Sequence, residues 1–204
     1  MWSKVISLNP VVNQYDIRSS RGVDPTDVPN NFVISYIYVT PAVQRFGFVG
    51  KQVLSGWQLN GITHLQSGSP FNVTSGVDTN FDGTNNDRPN VVGIPNLGSR
   101  SRTQNIAMYF NTSAFAQTPA GQPYGNAQFD SLFGPKYVDT DLSAFKSFPI
   151  HNEWTMQFRA EAFNVINNVN LSNPAANLVS TAQFGKITVA NSPRILQFAL
   201  RLSF

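Results

Sequence analysis

The sequence predicts an all-β chain built on an antiparallel sheet with one wet and one apolar face. Three observations carry this. Several segments alternate apolar and polar residues with period two, the signature of a strand that buries one side only. Apolar residues at i, i+3, i+4 and i+7 are scarce, while 14 glycines and 13 prolines interrupt the chain throughout its 204 residues. Only 12% of residues are charged, against 12% aromatic and 41% hydrophobic; about 25% charged is usual.

Taken in order, residues 2–8 suggest the stub of a first strand, and 32–40 (Phe-Val-Ile-Ser-Tyr-Ile-Tyr-Val-Thr) a less regular second one. Over 52–66, Val53, Trp57, Leu59 and Leu65 alternate with Gln52, Gln58, Asn60, His64 and Gln66, although Ile62 breaks the polar face. At 137–147, Val138, Leu142 and Ala144 share an apolar face, while Phe145 falls on the polar side for no reason the alternation supplies. In 154–162, Trp154, Met156, Phe158, Ala160 and Ala162 oppose Thr155, Gln157, Arg159 and Glu161. The final run sets Leu196, Phe198, Leu200, Leu202 and Phe204 against Gln197, Ala199, Arg201 and Ser203. The full segments are near the length of a tilted membrane-crossing strand, ~9–11 residues.

The connections alternate in length. Those at 41–51 and 148–152 are short; those at 9–31, 67–136 and 165–193 are long and rich in Asn, Asp, Ser, Thr, Gly and Pro, as solvated loops are. Short turns at one end of the sheet and long loops at the other match an outer-membrane barrel, whose long loops are extracellular. The predicted fold is therefore an antiparallel transmembrane β-barrel segment of about six strands. Six strands ~4.8 Å apart make a ribbon ~29 Å wide, and the smallest closed outer-membrane barrels use eight. Such a ribbon has two open edges that lipid cannot satisfy.

A net charge of +3 is too small for a phosphate-binding footprint, so nucleic acid is not an expected partner. The absence of cysteine excludes disulfides and thiolate ligands, and two histidines far apart in sequence do not suggest zinc. No stretch approaches 18 apolar residues, and the first residues lack the basic and apolar regions of a signal peptide. His64 and His151 have no nucleophile or metal context, His64 fitting better as one polar residue facing a lumen. The run 47–52 imitates the tail of a phosphate-binding loop without its spacing or its Ser/Thr. No enzymatic activity is expected.

Asp78-Thr-Asn-Phe-Asp-Gly83-Thr-Asn-Asn-Asp87 opens like a calcium loop, with oxygen ligands at Asp78, Asn80 and Asp82 and then a glycine. Thr84 would add a carbonyl and Asp87 would close the shell. Pro89 stands where an EF-hand has its bidentate Glu, which favours the alternative of an Asx-rich loop tip with no cofactor. Arg159, Glu161 and Arg201 lie on the polar, lumen-facing side, either to touch a plug or passing ligand or simply to pair across strands. Tyr38, Trp154 and Phe204 fall at the short-turn ends, where an aromatic girdle sits. The ending Gln197-Phe-Ala-Leu-Arg-Leu-Ser-Phe204 resembles the C-terminal signature of bacterial outer-membrane proteins, which makes Phe204 the candidate assembly signal.

Seven segments extend that resemblance from the first residues to the last. They are Phe32-Val-Ile-Ser-Tyr-Ile-Tyr, Gly56-Trp-Gln-Leu-Asn-Gly-Ile-Thr, Gln66-Ser-Gly-Ser-Pro-Phe71, Asn86-Asp-Arg-Pro-Asn90, Asp141-Leu-Ser-Ala-Phe-Lys146, Phe158-Arg-Ala-Glu-Ala-Phe-Asn164 and Phe184-Gly-Lys-Ile-Thr188. In this order and spacing they resemble the closing part of TonB-dependent transporters of the Oar-like type. That family has an N-terminal carboxypeptidase-regulatory-like domain, a plug and a barrel of 22 strands. The resemblance implies that residues 1–204 are the last quarter or so of such a barrel, with plug and N-terminal domains lying outside this sequence. The partners it implies are outer-membrane lipid, the rest of the barrel and plug, the barrel-assembly machinery, and the TonB complex acting through an N-terminal part. The implied location is the bacterial outer membrane. Two other readings fit parts of the pattern. One is a soluble secreted β-sandwich that binds carbohydrate through Trp57 or loop tyrosines; the other is a small pore made from several six-strand ribbons.

Overall fold

A computed structural model of the chain describes residues 2–8, 13, 15–41, 47, 53–151 and 153–204. In chain order its strands are β1 (Ile6–Leu8), β2 (Arg21–Val23), β3 (Asn31–Val39), β4 (Gln58–Gln66), β5 (Pro70–Phe71), β6 (Asn90–Val91), β7 (Phe115–Ala116), β8 (Leu132–Phe133), β9 (Tyr137–His151), β10 (Trp154–Phe163) and β11 (Ile195–Ser203). A short helix, α1 (Arg102–Ala107), lies between β6 and β7. The chain divides into two compact units, one holding 1–31, 66–137 and 171–191, the other 32–65, 138–170 and 192–204.

The second unit is a five-stranded sheet in the order β3-β4-β9-β10-β11, so its members neighbour each other in the order the chain makes them. β10 is antiparallel to β9 and to β11, with Phe158 opposite both Lys146 and Leu200. Antiparallel order continues to β4, because contacts advance in opposite directions along the two strands, Asn60 to Ser143 and then Thr63 to Thr140. It continues to β3, where the Thr40 N–H donates to the Trp57 carbonyl while Tyr36 lies against Gly61. A Cβ at Gly61 would run into the Tyr36 ring, so glycine there lets the ring lie flat across the strand. The strand ends that lead into the long connections all fall at one end of this sheet, as the alternation of loop lengths predicts.

Three boundaries differ from expectation. The sheet has five strands among the described residues where six were expected, because residues 6–8 pair with β2 instead of joining it. The third strand begins at Gln58, not 52: residues 53–54 are helical, and Gly56 at φ +74° reverses the chain before Trp57. The Trp57 indole N–H then donates to the Val53 carbonyl at 2.6 Å, tying the turn shut. Finally, β9 runs through most of the expected turn at 148–152 to His151, absorbing Pro149 beside an irregular register at Trp154/Thr155. Proline, which cannot donate to a ladder, is tolerated beside such a bulge. Most of 41–51, the run 48–52 and Asn152 lie outside the described residues.

The first unit is the larger departure. Composition suggests solvated loops, whereas the three long connections build a unit with its own core of Phe71, Val73, Phe110, Ala114, Phe115 and Phe184. Phe110 meets Phe184 and Phe115 edge-on, with ring centroids 5.1 and 5.6 Å apart. Such pairs add ~0.5–1.5 kcal/mol each beyond the area they bury. Short ladders staple this core, Phe71 pairing with Leu132 and Val91 with Phe115.

Candidate functional site

The five-stranded sheet offers two chemically opposite faces. On one lie Leu196, Phe198, Leu200 and Leu202 of β11, with relative exposures of 59, 68, 69 and 50%. Trp154, Leu142, Leu59, Tyr36 and Tyr38 are exposed large hydrophobics of the same sheet. In water so much exposed apolar surface is costly, and contiguous patches of this kind mark a membrane or protein contact. β3 is apolar on both sides, with Val33, Ile37 and Val39 exposed as well as Ile34 and Tyr36.

On the opposite face the predicted polar residues come together. Arg159 and Glu161 approach to 3.5 Å, with side chains 47% and 22% exposed, a pair worth ~0–1 kcal/mol at such exposure. Arg201 lies opposite Gln157, and Gln197 opposite Glu161. Phe145, out of place in the alternation, sits opposite Arg159 with the guanidinium carbon 5.0 Å from its ring centre. An aromatic on the wet face is thus a platform for a cation. Ile62, the other exception, lines a hollow of about 190 Å³ with Phe163 and with the polar Asn60, Asp141, Ser143 and Glu161.

At the end of the sheet with short turns, Phe204 lies against Trp154, ring centroids 5.3 Å apart, and is itself 87% exposed. Tyr38, last but one in β3, falls at the same end. Lys146 is a residue the alternation missed. It belongs to the apolar face, yet its ammonium donates to the Ser55 carbonyl and lies 5.8 and 5.2 Å from the Trp57 and Phe148 ring centres. A buried amine on the apolar face is tolerated because a carbonyl and two aromatic rings surround it.

Beyond β10, asparagines end the strand and pin the next connection. Asn164, at φ +48°, accepts from the Asn168 N–H and donates its own N–H to the Asp141 carboxylate. Asn170 exchanges two bonds with Val138, at 2.9 Å and 2.8 Å.

In the first unit the calcium-loop residues gather, but around N–H and O–H donors. Asp78 accepts from the Asp82 and Gly83 N–H groups, and Asp82 from Asn80 and from both the N–H and hydroxyl of Thr84. The Asn80 side-chain oxygen also accepts from the Asp82 N–H. The buried Asp87 carboxylate caps the loop, taking the Thr79 N–H at 2.6 Å, the Thr79 hydroxyl and the Asn80 N–H. Hydrogen bonds from Thr84 first, then Asn80, hold the Asp82 carboxyl below the usual aspartate value. Among the described residues no group of three or more His, Cys, Asp or Glu side chains is arranged to hold a metal.

Arg88 was not a sequence candidate. It is 6% exposed, its guanidinium 4.9 Å from the Phe129 ring centre and donating to the carbonyls of Ser19 and Ala127 at 2.7 and 3.1 Å. Burial pulls its pKa down, and Asp16 and Asp87 oppose that. The signal available in sequence was the run Asn86-Asp-Arg-Pro-Asn90 itself, in which an acid and an arginine stand side by side ahead of a proline; a charge that is buried is almost always a paired one.

Comparison with protein families matches residues 2–197 to one described as an outer membrane beta barrel domain. No curated protein and no solved structure matches the chain.

Proposed function

Because the chain belongs to the outer membrane beta barrel family and so to the bacterial outer membrane, we propose that it forms the closing wall of a TonB-dependent transporter of the Oar-like type. In this reading the sheet supplies part of the barrel, with Arg159, Glu161 and Arg201 toward the lumen. The long connections supply extracellular recognition, and Phe204 presents the assembly signal. Energy-coupled uptake belongs to the assembled receptor, in which the TonB complex acts through a plug.

The observation that carries this reading is the pair of sheet edges. β3 and β11 end the strand order, and both expose apolar side chains. Unsatisfied backbone groups in lipid cost several kcal/mol each, so such edges demand further strands. The seven quoted segments favour the transporter over other barrels.

The genomic reading frame and cell fractionation test it together. An in-frame plug upstream of residue 1, with the product in the outer membrane and extractable only by detergent, is the expected result. A stop codon immediately upstream, with a heat-modifiable oligomer formed by this chain alone, would establish an oligomeric pore instead.

A further inference from the structure

The connection unit contains a cleft of about 530 Å³, inside the ~300–1,000 Å³ range of small-ligand pockets. Its apolar wall includes Phe71, Phe110, Leu132 and Phe133. Its polar wall consists of Asn96, Asn105, Tyr109 and Ser131. We infer that this cleft is a binding site for a neutral saccharide of a few rings, held by aromatic faces on one side and by amides and hydroxyls on the other. The assignment goes beyond the transport reading and does not depend on it.

Lining chemistry excludes most other ligands. Among the described residues no acid or base lines the cleft, so an ion would leave water without gaining a counter-charge. Burial pushes the Tyr109 phenol up, away from ionisation, so its hydroxyl remains a neutral donor. The Asn105 amide, the Tyr109 and Ser131 hydroxyls and the Asn96 Nδ2 have no hydrogen-bond partner among the described residues, leaving both donors and acceptors for a ligand. Hydroxyl-rich rings with apolar C–H faces match this combination. A peptide would seek a run of backbone partners along a free sheet edge. Here Phe71 and Leu132 already pair with each other.

The walls are preformed, which reduces the entropy lost on binding. Tyr109 packs on Phe71 with ring centroids 6.4 Å apart, and its N–H donates to the Gly185 carbonyl at 2.7 Å. The Asn96 side chain caps the Gly98 N–H at 2.7 Å, while Asn111 donates to the carbonyls of Pro95 and Ile94. A capping box between Ser101 and Gln104 starts α1, and Asn105 follows in its first turns.

The test is saturation-transfer NMR on outer membranes carrying the full chain, with membranes lacking it as reference. The probes are maltotriose, cellotriose and N,N′-diacetylchitobiose, against anionic sialyllactose and an uncharged acetylated tripeptide amide. At least one neutral saccharide is expected to show transfer. Asn105→Ala, a helix-compatible change at a side chain with no internal bond, is expected to weaken it about five- to tenfold, the loss of one hydrogen bond. Tyr109→Phe is expected to retain transfer to the ring C–H protons while weakening binding similarly. Absence of any Asn105-dependent saccharide signal overturns the assignment, as does equal transfer to sialyllactose or the peptide. Retained saccharide binding without energy-coupled uptake would count against the transport reading and leave this site standing.

Discussion

Single residues in the connection unit are held by hydrogen bonds that also set their titration. Asp82 and Asp24 both lie below the ordinary aspartate value of 3.8, each because a threonine two positions on donates its hydroxyl and its N–H. A depressed folded-state pKa stabilises the fold above the unfolded value, and that contribution is lost as pH falls through the lower folded value. Carboxyl titration by NMR is therefore expected to place Asp82 below 3.8, and Thr84→Val to return it toward that figure. A midpoint indifferent to Thr84→Val would mean that these bonds do not form in solution. Arg88 is a more demanding case. Arg88→Ala leaves the buried carbonyl of Ala127 and the half-buried carbonyl of Ser19 without this donor and removes the contact with Phe129. Two unsatisfied groups imply a loss of ~2–6 kcal/mol, read as a lower thermal midpoint of the connection unit. A shift under 1 °C would contradict an anchoring role.

At the scale of elements, the strands were legible because period two is a local property: β4, β10 and β11 announce their two faces within ten or so residues, β9 does so apart from Phe145, and β3, apolar on both sides, is marked by its β-branched and aromatic run instead. Errors fell where a side chain answers to a partner strand, as Phe145 does to Arg159, or where a turn is closed by a side chain, as Trp57 closes its own. The connection unit was not legible. Phe71, Phe110, Phe115 and Phe184 converge from positions far apart in sequence with no periodicity between them, and an Asn-rich composition looks the same whether amides face water or one another. Phe110 touches Phe71, Phe115 and Phe184, so Phe110→Ala is expected to cost ~3–5 kcal/mol in that unit. Limited proteolysis should then cut residues 67–136 while the sheet still resists. Unchanged protease resistance of 67–136 would show that the aromatic cluster does not hold the connections.

For the molecule as a whole, the sheet must meet lipid on one face and water on the other, and the outer-membrane assignment makes the choice of face measurable. Leu200 and Gln197 are three residues apart on β11, one opposite Phe158 on the apolar face, the other opposite Glu161 on the polar face. A cation replacing Leu200 near the middle of the strand would sit in hydrocarbon, at ~2–4 kcal/mol for an arginine at the bilayer midplane. The same cation at 197 would sit in water beside a carboxylate. Leu200→Arg is thus expected to lower the urea midpoint of the assembled barrel strongly, or to abolish its heat-modifiable band, while Gln197→Arg leaves both nearly unchanged. On this geometry a chain that exposes one sheet face to lipid is expected to keep its charges on the other face and in the connections, Lys146 with its carbonyl and aromatic partners being the exception, and the low charged share of 12% follows. Equal tolerance of the two substitutions would mean that both faces meet water, and the low charge would lose its explanation. The reverse ranking would place the lipid on the face of Arg159 and Glu161.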